Sequence, residues 1–345
     1  MKKMLILFGG ESTEHEVSRN SAFNVINAVD TDKFDVIVVG ITKDGNWYLC
    51  DCQREMIKDG SWENVCKKEV VIAPGKGGIT ILSDDKSEFV PVDICFPVVH
   101  GTNCEDGSLQ GLLKLAHIKY VGCQVLSSAV CMDKDITKII LEKNNIPQTP
   151  YVVLFEGENK TEEIEEKLGY PCFVKPVNAG SSIGAAKASG REELIKNIEN
   201  AFKFDKKVMV EKFINCRELE VAVMGNEELI LAGPGEIVSD AETYDYDTKY
   251  VTNSGVSYDI PANIPAEMFE KIREYAKKAY KVLECSGLSR IDFFLDKDTG
   301  EIYLNEINTL PGFTNISMYP KLFISTGITY SDIITKLAEL GENVK

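Results

Sequence analysis

The stretch from residue 289 to residue 314 constrains the fold of this chain more than any other. Its sequence, SRIDFFLDKDTGEIYLNEINTLPGFT, contains apolar-rich runs at residues 291–295 and 302–307 on either side of Asp-Lys-Asp-Thr-Gly. Apolar runs separated by a short polar segment with glycine are typical of a β-hairpin. The stretch therefore predicts two antiparallel strands joined by a five-residue loop.

Side chains alternate between the two faces of a strand, so each strand of this hairpin presents one set of residues together. These sets are Arg290, Asp292 and Phe294 on the first strand and Leu304, Glu306 and Asn308 on the second. If the register brings the two faces together, two carboxylates and an amide oxygen converge, a ligand set that suits magnesium, which completes its shell with water and phosphate oxygens. The alternative is that the acids are ordinary charged residues on a solvated face. The neighbouring arginine has donors suited to phosphate or an oxyanion, which favours a nucleotide-dependent reaction.

The composition is that of an ordinary globular protein and limits the classes of partner. The chain has 345 residues, 44% hydrophobic and 27% charged, which is enough for two or three domains with their own cores. Its formal net charge of -16 argues against broad binding to nucleic acid or to an anionic membrane, because both require basic surface. Any phosphate chemistry has to use local lysines and arginines.

The N-terminus and the cysteines predict a cytoplasmic protein with reduced thiols. The apolar run after Met-Lys-Lys is too short for a secretory signal or a membrane span. None of the ten cysteines forms a CxxC pair. The three histidines, His15, His100 and His117, are scattered along the chain, which argues against a zinc site.

The first part of the chain predicts an open α/β layer. Apolar runs at residues 4–8 and 36–40 flank a helical stretch at 17–29, so the expected order is strand, helix, strand. The Gly9-Gly10 turn is not a full GxGxxG motif and supports a dinucleotide site only weakly. The N-terminus of the helix attracts anions, and Glu16 near that end could instead hold an ammonium group.

Two further patterns in the first half carry candidate site residues. A strand at residues 93–99 ends in His100, where the carboxyl end of a strand in an open sheet borders the usual ligand crevice. His100 is therefore either a site residue or a structural histidine, and the sequence alone favours neither. The next helical stretch, at residues 128–144, contains Lys134 and predicts one continuous helix.

Two later loops are candidates for contact with a ligand. Lys175 lies at the rim of a strand that runs into Gly-Ser-Ser-Ile-Gly at residues 180–184, where glycine permits close approach to phosphate and serine supplies donors. A plain hairpin connection is the alternative for this loop. The segment 239–257 is polar and aromatic without periodicity, as expected of a functional loop. By contrast, residues 50–88 predict no particular element.

A series of motifs, taken in chain order, resembles those of one family. The motifs are GGESTEHEVS, HGTNCEDGSLQG, MDKD, VKPVNAGSSIG, YDYDTKY, SRIDFF, NEINTLPGFT and SMYP. They span nearly the whole chain. The chain resembles the D-alanine:D-alanine ligases of the ATP-grasp superfamily, whose vancomycin-resistance relatives join D-alanine to D-serine or D-lactate.

The resemblance implies a mixed fold of the α/β and α+β classes. An N-terminal open α/β domain, residues 1–125, would bind substrate and precede a two-domain ATP-grasp fold. Residues 126–214 would form the central ATP-grasp subdomain. Residues 215–345 would form the C-terminal subdomain, with the magnesium site and a mobile loop at 239–257. ATP would lie between two antiparallel sheets.

The resemblance also implies the residues that bind ATP and metal. The ATP set combines three lysines, the segment at the adenine and an acid at the ribose: Lys134, Lys175, Lys249, Glu211, Lys212, Phe213, Ile214 and Glu218. Two magnesium ions, for which manganese could substitute, would be held by Asp292, Glu306 and Asn308. This metal set agrees with the hairpin faces derived above.

Further residues are implied at the amino-acid substrates. Glu16 would bind the ammonium group of the first D-alanine, and His100 would lie beside its carboxylate. Ser181 and Tyr250 would form with Glu16 the link that closes the mobile loop over the site.

The oxyanion and the second substrate complete the implied site. Arg290 and the backbone N–H of Gly312 would stabilise the oxyanion. Ser317 and Met318 would hold the second amino acid.

The implied activity is ATP-dependent joining of D-alanine to a second D-amino acid through D-alanyl phosphate, for peptidoglycan precursors. Tyr250 matches enzymes that form an amide bond rather than the D-lactate type, and Met318 resembles the D-alanine enzymes. The segments VVHGTNCEDG and GCQVLSSAVCMDKD instead resemble the resistance branch, so D-alanine and D-serine both stay open as second substrate.

The resemblance further implies a homodimer, with no nucleic-acid or membrane partner. Two alternatives for the activity remain at this point. One is another ATP-grasp ligase that joins a carboxylate to an amine, and the other is a nucleotide-binding protein without turnover.

Overall fold

The chain opens with the predicted strand, helix and strand. In this computed structural model, which describes residues 1–84, 86–180, 183–239 and 256–344, β1 (Lys2–Gly9) and β2 (Phe34–Ile41) are parallel neighbours joined through α1 (His15–Ala28). The side chains of residues 4–8 are fully buried. Burial on both faces of a parallel strand explains why this run is apolar without alternation.

The region from residue 50 to residue 88, for which the sequence predicted no element, extends this sheet. Its short strands and helices are β3 (Trp47–Leu49), α2 (Arg54–Asp59), α3 (Trp62–Val65), β4 (Glu69–Ile72), β5 (Gly78–Ser83) and β6 (Lys86–Pro91). β7 (Ile94–Val99) then pairs in parallel with β1, and the sheet order is β6-β5-β4-β3-β2-β1-β7. The strands from β3 to β6 are antiparallel to their neighbours.

Trp62 anchors this added region to the core. It is fully buried, with its ring centroid 5.0 Å from that of Phe8. A Cβ atom at Gly40 would lie 2.6 Å from the Trp62 ring, so β2 needs a glycine where the indole crosses it.

The predicted single helix at residues 128–144 is wrong. After α4 (Ser108–Leu115) the chain forms two helices, α5 (Val125–Met132) and α6 (Lys134–Lys143), which are separated at Asp133. Asp133 has extended backbone, and its carboxylate accepts hydrogen bonds from the N–H groups of Asp135 and Ile136 at 3.1 and 3.0 Å. An aspartate in this role begins a new helix rather than continuing the old one.

The second sheet is antiparallel and follows α6. Its strands and helices are β8 (Tyr151–Phe155), α7 (Thr161–Lys167), β9 (Cys172–Pro176), β10 (Ala186–Ala188), α8 (Arg191–Ala201) and β11 (Lys207–Lys212). The strand order is β10-β9-β11-β8. Both helices pack their apolar side chains on this sheet in one core.

The third sheet is also antiparallel and contains the predicted hairpin. Its elements are β12 (Cys216–Gly225), β13 (Leu229–Ser239), β14 (Val256–Asp259), α9 (Ala266–Val282), β15 (Leu288–Asp296) and β16 (Ile302–Asn308). The strand order is β14-β13-β12-β15-β16. Two helices, α10 (Met318–Ser325) and α11 (Tyr330–Glu342), complete the described chain.

The hairpin register places Arg290 opposite Asn308 and Asp292 opposite Glu306. The predicted convergence of these faces is confirmed, with one correction. The register shifts after Asp292, so that Phe293 lies opposite Leu304 and Asn305 is the extra residue. This bulge turns Leu304 into the apolar core, away from the face that it was predicted to share with Glu306 and Asn308.

Helix α11 returns to the N-terminal sheet. Ile333, Ile334 and Leu337 are fully buried in the same core as Met4 and Phe8. The three sheets confirm the predicted fold class, while the domain boundaries at 125/126 and 214/215 stay predictions. None of the helices in the described ranges has both the length and the apolar character that a membrane crossing requires.

Asp133 also forms an ion pair, which makes its contribution testable. Its carboxylate lies 2.7 Å from Lys207 Nζ on β11. Asp133→Ala removes both the N-cap and this pair, so we expect it to lower the free energy of unfolding by about 1–3 kcal/mol in urea titrations followed by circular dichroism. Asp133→Asn keeps a side-chain oxygen that can cap the helix, so its free energy of unfolding should fall clearly less. Equal losses in the two variants would contradict the capping role.

Candidate active site

Asp292 accepts three hydrogen bonds on the hairpin face. Arg290 donates from Nε to its Oδ1 at 2.8 Å and from Nη2 to its Oδ2 at 2.7 Å. Asn308 donates its amide N–H to Oδ2 at 3.0 Å. Both oxygens of this buried carboxylate are therefore occupied by protein donors.

The residues of this face fit a magnesium ion in their chemistry. Asp292 and Glu306 supply carboxylate oxygens from opposing positions, and the amide oxygen of Asn308 is a further hard ligand. Within the described ranges, no three carboxylate, thiol or imidazole groups form a metal cluster by themselves. Such a site would need its remaining ligands from water and from phosphate, as magnesium usually does.

Glu220 is a neighbour of this face that sequence reasoning missed. It lies on β12 opposite Asp292, is only 6% exposed, and its Oε2 is 2.9 Å from Arg290 Nε. Glu218, predicted at the ribose, lies two residues earlier on the same strand and opposite Phe294. The alternation along β12 therefore puts both glutamates on the metal side of the sheet.

Lys134, at the start of α6, approaches this face, and Lys175 on β9 lies near Lys134. Lys134 Nζ donates to the carbonyl oxygens of Ala179 at 2.7 Å and of Val177 at 3.3 Å, next to the loop predicted to cover phosphate. Burial lowers the pKa of Lys134, and the charge of Glu306 opposes this change. The carboxylate of Glu306 is thus close enough to act on the ammonium group of Lys134.

Glu211 bridges two lysines in the interior. Its Oε2 lies 2.5 Å from Lys175 Nζ and its Oε1 lies 2.7 Å from Lys138 Nζ, with Thr149 donating to Oε1 at 2.9 Å. Burial would raise the pKa of Glu211, but the two ammonium charges outweigh it and hold the pKa far below its usual range. Lys138 was missed, although its position four residues after Lys134 puts both on one side of α6.

The segment predicted at adenine follows Glu211 directly. Lys212 is exposed, and Phe213 and Ile214 are half-buried. Lys187 Nζ lies 4.2 Å from the centroid of the Phe213 ring, which is a cation–π distance. The two antiparallel sheets meet at this segment, because β11 ends at Lys212 and β12 begins at Cys216.

His100 is buried at the end of β7, as its position predicted. Its Nδ1 lies 2.9 Å from the carbonyl oxygen of Leu310, so Nδ1 carries the proton and Nε2 is left for another partner. Nε2 is buried and has no hydrogen-bond partner among the described residues. Burial lowers the pKa of His100, although the negative charge of Glu14 acts in the opposite direction.

The structure brings Glu14 to the site, whereas Glu16 lies apart from it. Glu16 is half-exposed and pairs with Lys43 at 2.6 Å. Burial would raise the pKa of Glu16, but the hydrogen bond and charge of Lys43 lower it overall. By contrast, Glu14 lies beside two glycines. Its Oε2 atom is 3.5 Å from where a Cβ atom on Gly180 would lie and 3.2 Å from where a Cβ atom on Gly101 would lie. Glu14 is the N-cap residue before α1 and Glu16 lies in its first turn, so the two acids have different surroundings.

Glu105 is a further acid that was missed. Its Oε2 accepts a hydrogen bond from the N–H of Gly101 at 2.9 Å. Burial and the nearby charge of Glu14 raise the pKa of Glu105 to about 8. The motif HGTNCEDG contained this residue, but only the fold shows that it lies near the hairpin acids.

The turn after the hairpin connects the oxyanion and second-substrate candidates. Ser317 Oγ accepts from the N–H of Thr314 at 3.0 Å, and a Cβ atom at Gly312 would lie 2.8 Å from this oxygen. Gly312 and Ser317 are therefore in close contact. The side chain of Met318 is buried in the core instead, which favours a packing role for it.

Three predicted site residues, Ser181, Lys249 and Tyr250, lie outside the residues that the structure describes. The same applies to most of the segment predicted as the mobile loop.

The pKa of Glu105 makes stability depend on pH. Because the folded state holds its proton up to a pH of about 8 and the unfolded state only to about 4.3, stability from this group falls as pH rises through this interval. Glu105→Gln removes the titration and keeps an acceptor for Gly101. We expect the melting temperature of the variant to rise relative to that of the parent as the pH increases from about 5 to about 8. Parallel pH profiles of the two proteins would contradict this prediction.

Comparison with known proteins supports the family resemblance that the sequence motifs indicate. Residues 3–123 match the family model described as the N-terminus of D-ala D-ala ligase, and residues 140–339 match the C-terminus of the same family. A D-alanine–D-alanine ligase of Clostridium acetobutylicum is 51% identical over 98% of this chain and 97% of its own length. The ligase of the same name from Ruminiclostridium cellulolyticum is 50% identical over 98% and 95%.

Solved structures extend the agreement to the whole fold. The VanG D-Ala:D-Ser ligase from Enterococcus faecalis superposes with a TM-score of 0.89 at 41% identity, covering 99% of both chains. The D-alanine-D-alanine ligase from Coxiella burnetii superposes with a TM-score of 0.87 at 36% identity, covering 99% of this chain and 94% of the other. With both family models matched in order over nearly the full length, the chain belongs to the D-alanine–D-alanine ligase family.

Proposed function

We propose that this protein is an ATP-dependent ligase that joins D-alanine to a second D-amino acid for peptidoglycan precursors. The observation that supports this most strongly is the convergence of Asp292, Glu306 and Asn308 on one hairpin face beside Lys134. The two antiparallel sheets that residues 212–216 connect would hold the nucleotide between them. Family membership then gives the D-amino acids as substrates.

The reaction explains the residue types. A carboxylate is a poor electrophile, so transfer of the terminal phosphoryl group of ATP first makes an acyl phosphate. Lys134 and Lys175 would bind the phosphates and neutralise part of their charge. Bound through Asp292, Glu306 and Asn308, magnesium would supply Lewis-acid stabilisation of the transferred phosphoryl group.

The second step of the reaction requires hydrogen-bond donors. The amine of the second amino acid attacks the acyl phosphate, and the negative charge that develops on oxygen needs donors that are already positioned. Arg290 and the N–H of Gly312 are proposed for this role. Ser317, in contact with Gly312, is proposed at the second substrate. Closure of the segment that contains Lys249 and Tyr250 would exclude water from the acyl phosphate.

For the first D-alanine, we propose Glu14 in place of Glu16 as the partner of the ammonium group. Glu14 lies between Gly101 and Gly180, and its charge reaches His100. Nε2 of His100 is then the atom that faces the same substrate. Glu16, paired with Lys43, is proposed to help hold α1 in place.

The second substrate is proposed as D-alanine or D-serine. The relatives of about half identity are named as D-alanine–D-alanine ligases, and the VanG structure is that of a D-Ala:D-Ser ligase. The homodimer and the cytoplasmic location expected from the sequence stay predictions.

Exchange of the two acids tests the substrate site. Glu14→Gln should weaken use of the first D-alanine by roughly 30-fold or more in kcat/KM, because loss of one partner from a desolvated charge pair costs about 2 kcal/mol or more. Glu16→Gln should stay close to the parent protein. These values are measured by steady-state kinetics. A larger loss of kcat/KM in Glu16→Gln than in Glu14→Gln would assign the ammonium group to Glu16 instead.

The activity itself is tested by phosphate release with ATP, magnesium and D-alanine, with and without D-serine. The dipeptide formed is identified by mass. We expect release to require both magnesium and D-alanine, and to be lost in Glu306→Gln with an unchanged circular dichroism spectrum. Absence of any dipeptide would overturn the proposed function and leave only the ATP-grasp fold.

A further inference from the structure

The turn after the hairpin, residues 310–317, is tied to helices α1 and α11. The backbone N–H of Phe313 donates to Ser21 Oγ on α1 at 3.1 Å. The carbonyl oxygen of Phe313 accepts from Asn24 Nδ2 on α1 at 3.3 Å and from the hydroxyl of Tyr330 on α11. Both polar backbone groups of Phe313 are therefore paired with side chains from outside the turn.

Packing holds the same residue. The side chain of Phe313 is buried, and its ring lies edge-on to that of Phe96 on β7, with the ring centroids 5.6 Å apart. Ser21 is fully buried as well. Loss of its hydroxyl would leave the Phe313 N–H in the interior without an acceptor, which is costly. The backbone position of Phe313 therefore depends on Ser21.

The N–H of Gly312, one residue earlier, differs from the two N–H groups that follow it. The N–H of Phe313 is bonded to Ser21, and that of Thr314 donates to Ser317 Oγ at 3.0 Å. The Gly312 N–H donates to no acceptor among the residues that the structure describes. It is thus available to a ligand, as a donor to an oxyanion has to be.

The groups proposed at the first D-alanine are fixed to the same turn. His100, at the end of β7, contacts the carbonyl oxygen of Leu310 through Nδ1 at 2.9 Å. Glu14 is the N-cap residue of α1, and Ser21 lies about two turns further along this helix. Helix α1 and strand β7 therefore position both the first-substrate candidates and the turn that contains Gly312.

We propose that Ser21, supported by Tyr330, is a positioning residue that directs the N–H of Gly312 toward the reacting centre. The two side chains hold the backbone of Phe313 on both sides. Glycine has more backbone freedom than any other residue, so the direction of the Gly312 N–H depends on how its neighbour is held. Ser21 acts through Phe313 and not by contact with the substrate. This inference rests on the proposed function, in which the Gly312 N–H stabilises the oxyanion.

Ser21→Ala removes the acceptor of the Phe313 N–H and is measured first by steady-state kinetics. We expect kcat for dipeptide formation to fall roughly 10- to 100-fold, because a misplaced catalytic group can cost about 100-fold in rate. The KM for ATP should stay within about twofold of the parent value, since the lost interaction acts on the transition state. A raised KM for ATP with an unchanged kcat would overturn the proposal.

A second readout needs no turnover. A phosphinate analogue of the dipeptide presents a tetrahedral centre with an oxygen where the oxyanion develops. Its dissociation constant is measured by calorimetry in the presence of magnesium and a non-hydrolysable ATP analogue. In Ser21→Ala this constant should rise by about the same factor as kcat falls, because both report binding of the tetrahedral state. An unchanged affinity for the phosphinate would overturn the proposal.

Ser128→Ala is the matched control. Ser128 is also a fully buried serine of a helix, on α5, and its hydroxyl donates to the carbonyl oxygen of Cys123 at 3.3 Å. Its kcat and its affinity for the phosphinate should stay within about twofold of the parent values. Thermal melting of both variants checks that they are folded. A loss in Ser128→Ala equal to that in Ser21→Ala would overturn the proposal.

Tyr330→Phe keeps the proposal testable if Ser21→Ala does not fold. It removes the hydroxyl that donates to Phe313 and keeps the aromatic ring. We expect kcat and phosphinate affinity to fall together by roughly 3- to 10-fold, as for loss of one neutral hydrogen bond. Tyr280→Phe, which removes a tyrosine hydroxyl bonded to the carbonyl oxygen of Gly225, should leave both values unchanged.

The parent protein separates the two levels of inference. If it forms no dipeptide from ATP and D-alanine, with or without D-serine, the proposed function itself fails. If the parent is active and both Ser21→Ala and Tyr330→Phe keep its kcat and its phosphinate affinity, the proposed function stands and only the positioning role is overturned.

Discussion

The pairing of β15 with β16 positions the acidic residues of the site. Side chains on facing strands meet only where the register is correct, and here it places Asp292 opposite Glu306 and Arg290 opposite Asn308. A slip of one residue would turn this set into the core and the apolar set outward. The bulge at Asn305 lets the strand satisfy both requirements, because it keeps Glu306 at the site while Leu304 stays among apolar neighbours.

Buried charge is compensated locally throughout this region. Glu211 is balanced by Lys138 and Lys175, and Asp292 by Arg290. Desolvation of an isolated ion would cost several kcal/mol, so each buried acid is paired with at least one cation. The Glu211 pairs thereby tie α6 to strands β9 and β11 of the second sheet.

The parts of the fold that local patterns determine could be predicted from the sequence. The opening strands, α1 and the hairpin follow from short-range periodicity and turn residues. The break at Asp133 was missed because an N-cap outweighed a continuous helical pattern, and residues 50–88 were missed because short, half-exposed strands carry little pattern. Most candidate site residues were predicted from the family motifs, and their roles stay predictions. Glu220, Lys138 and Glu14 needed the fold, since their partners are distant in sequence or depend on where a helix begins.

The position of α11 has a consequence for the synthesis of the protein. The face of the N-terminal sheet that contains Met4 and Phe8 is covered by residues 333–337, and Lys2 forms an ion pair with Glu342 at 2.6 Å. Because β1 is synthesised before α11, it cannot complete this core until α11 has emerged from the ribosome. During translation this sheet stays partly uncovered, with apolar side chains exposed, until α11 packs on it.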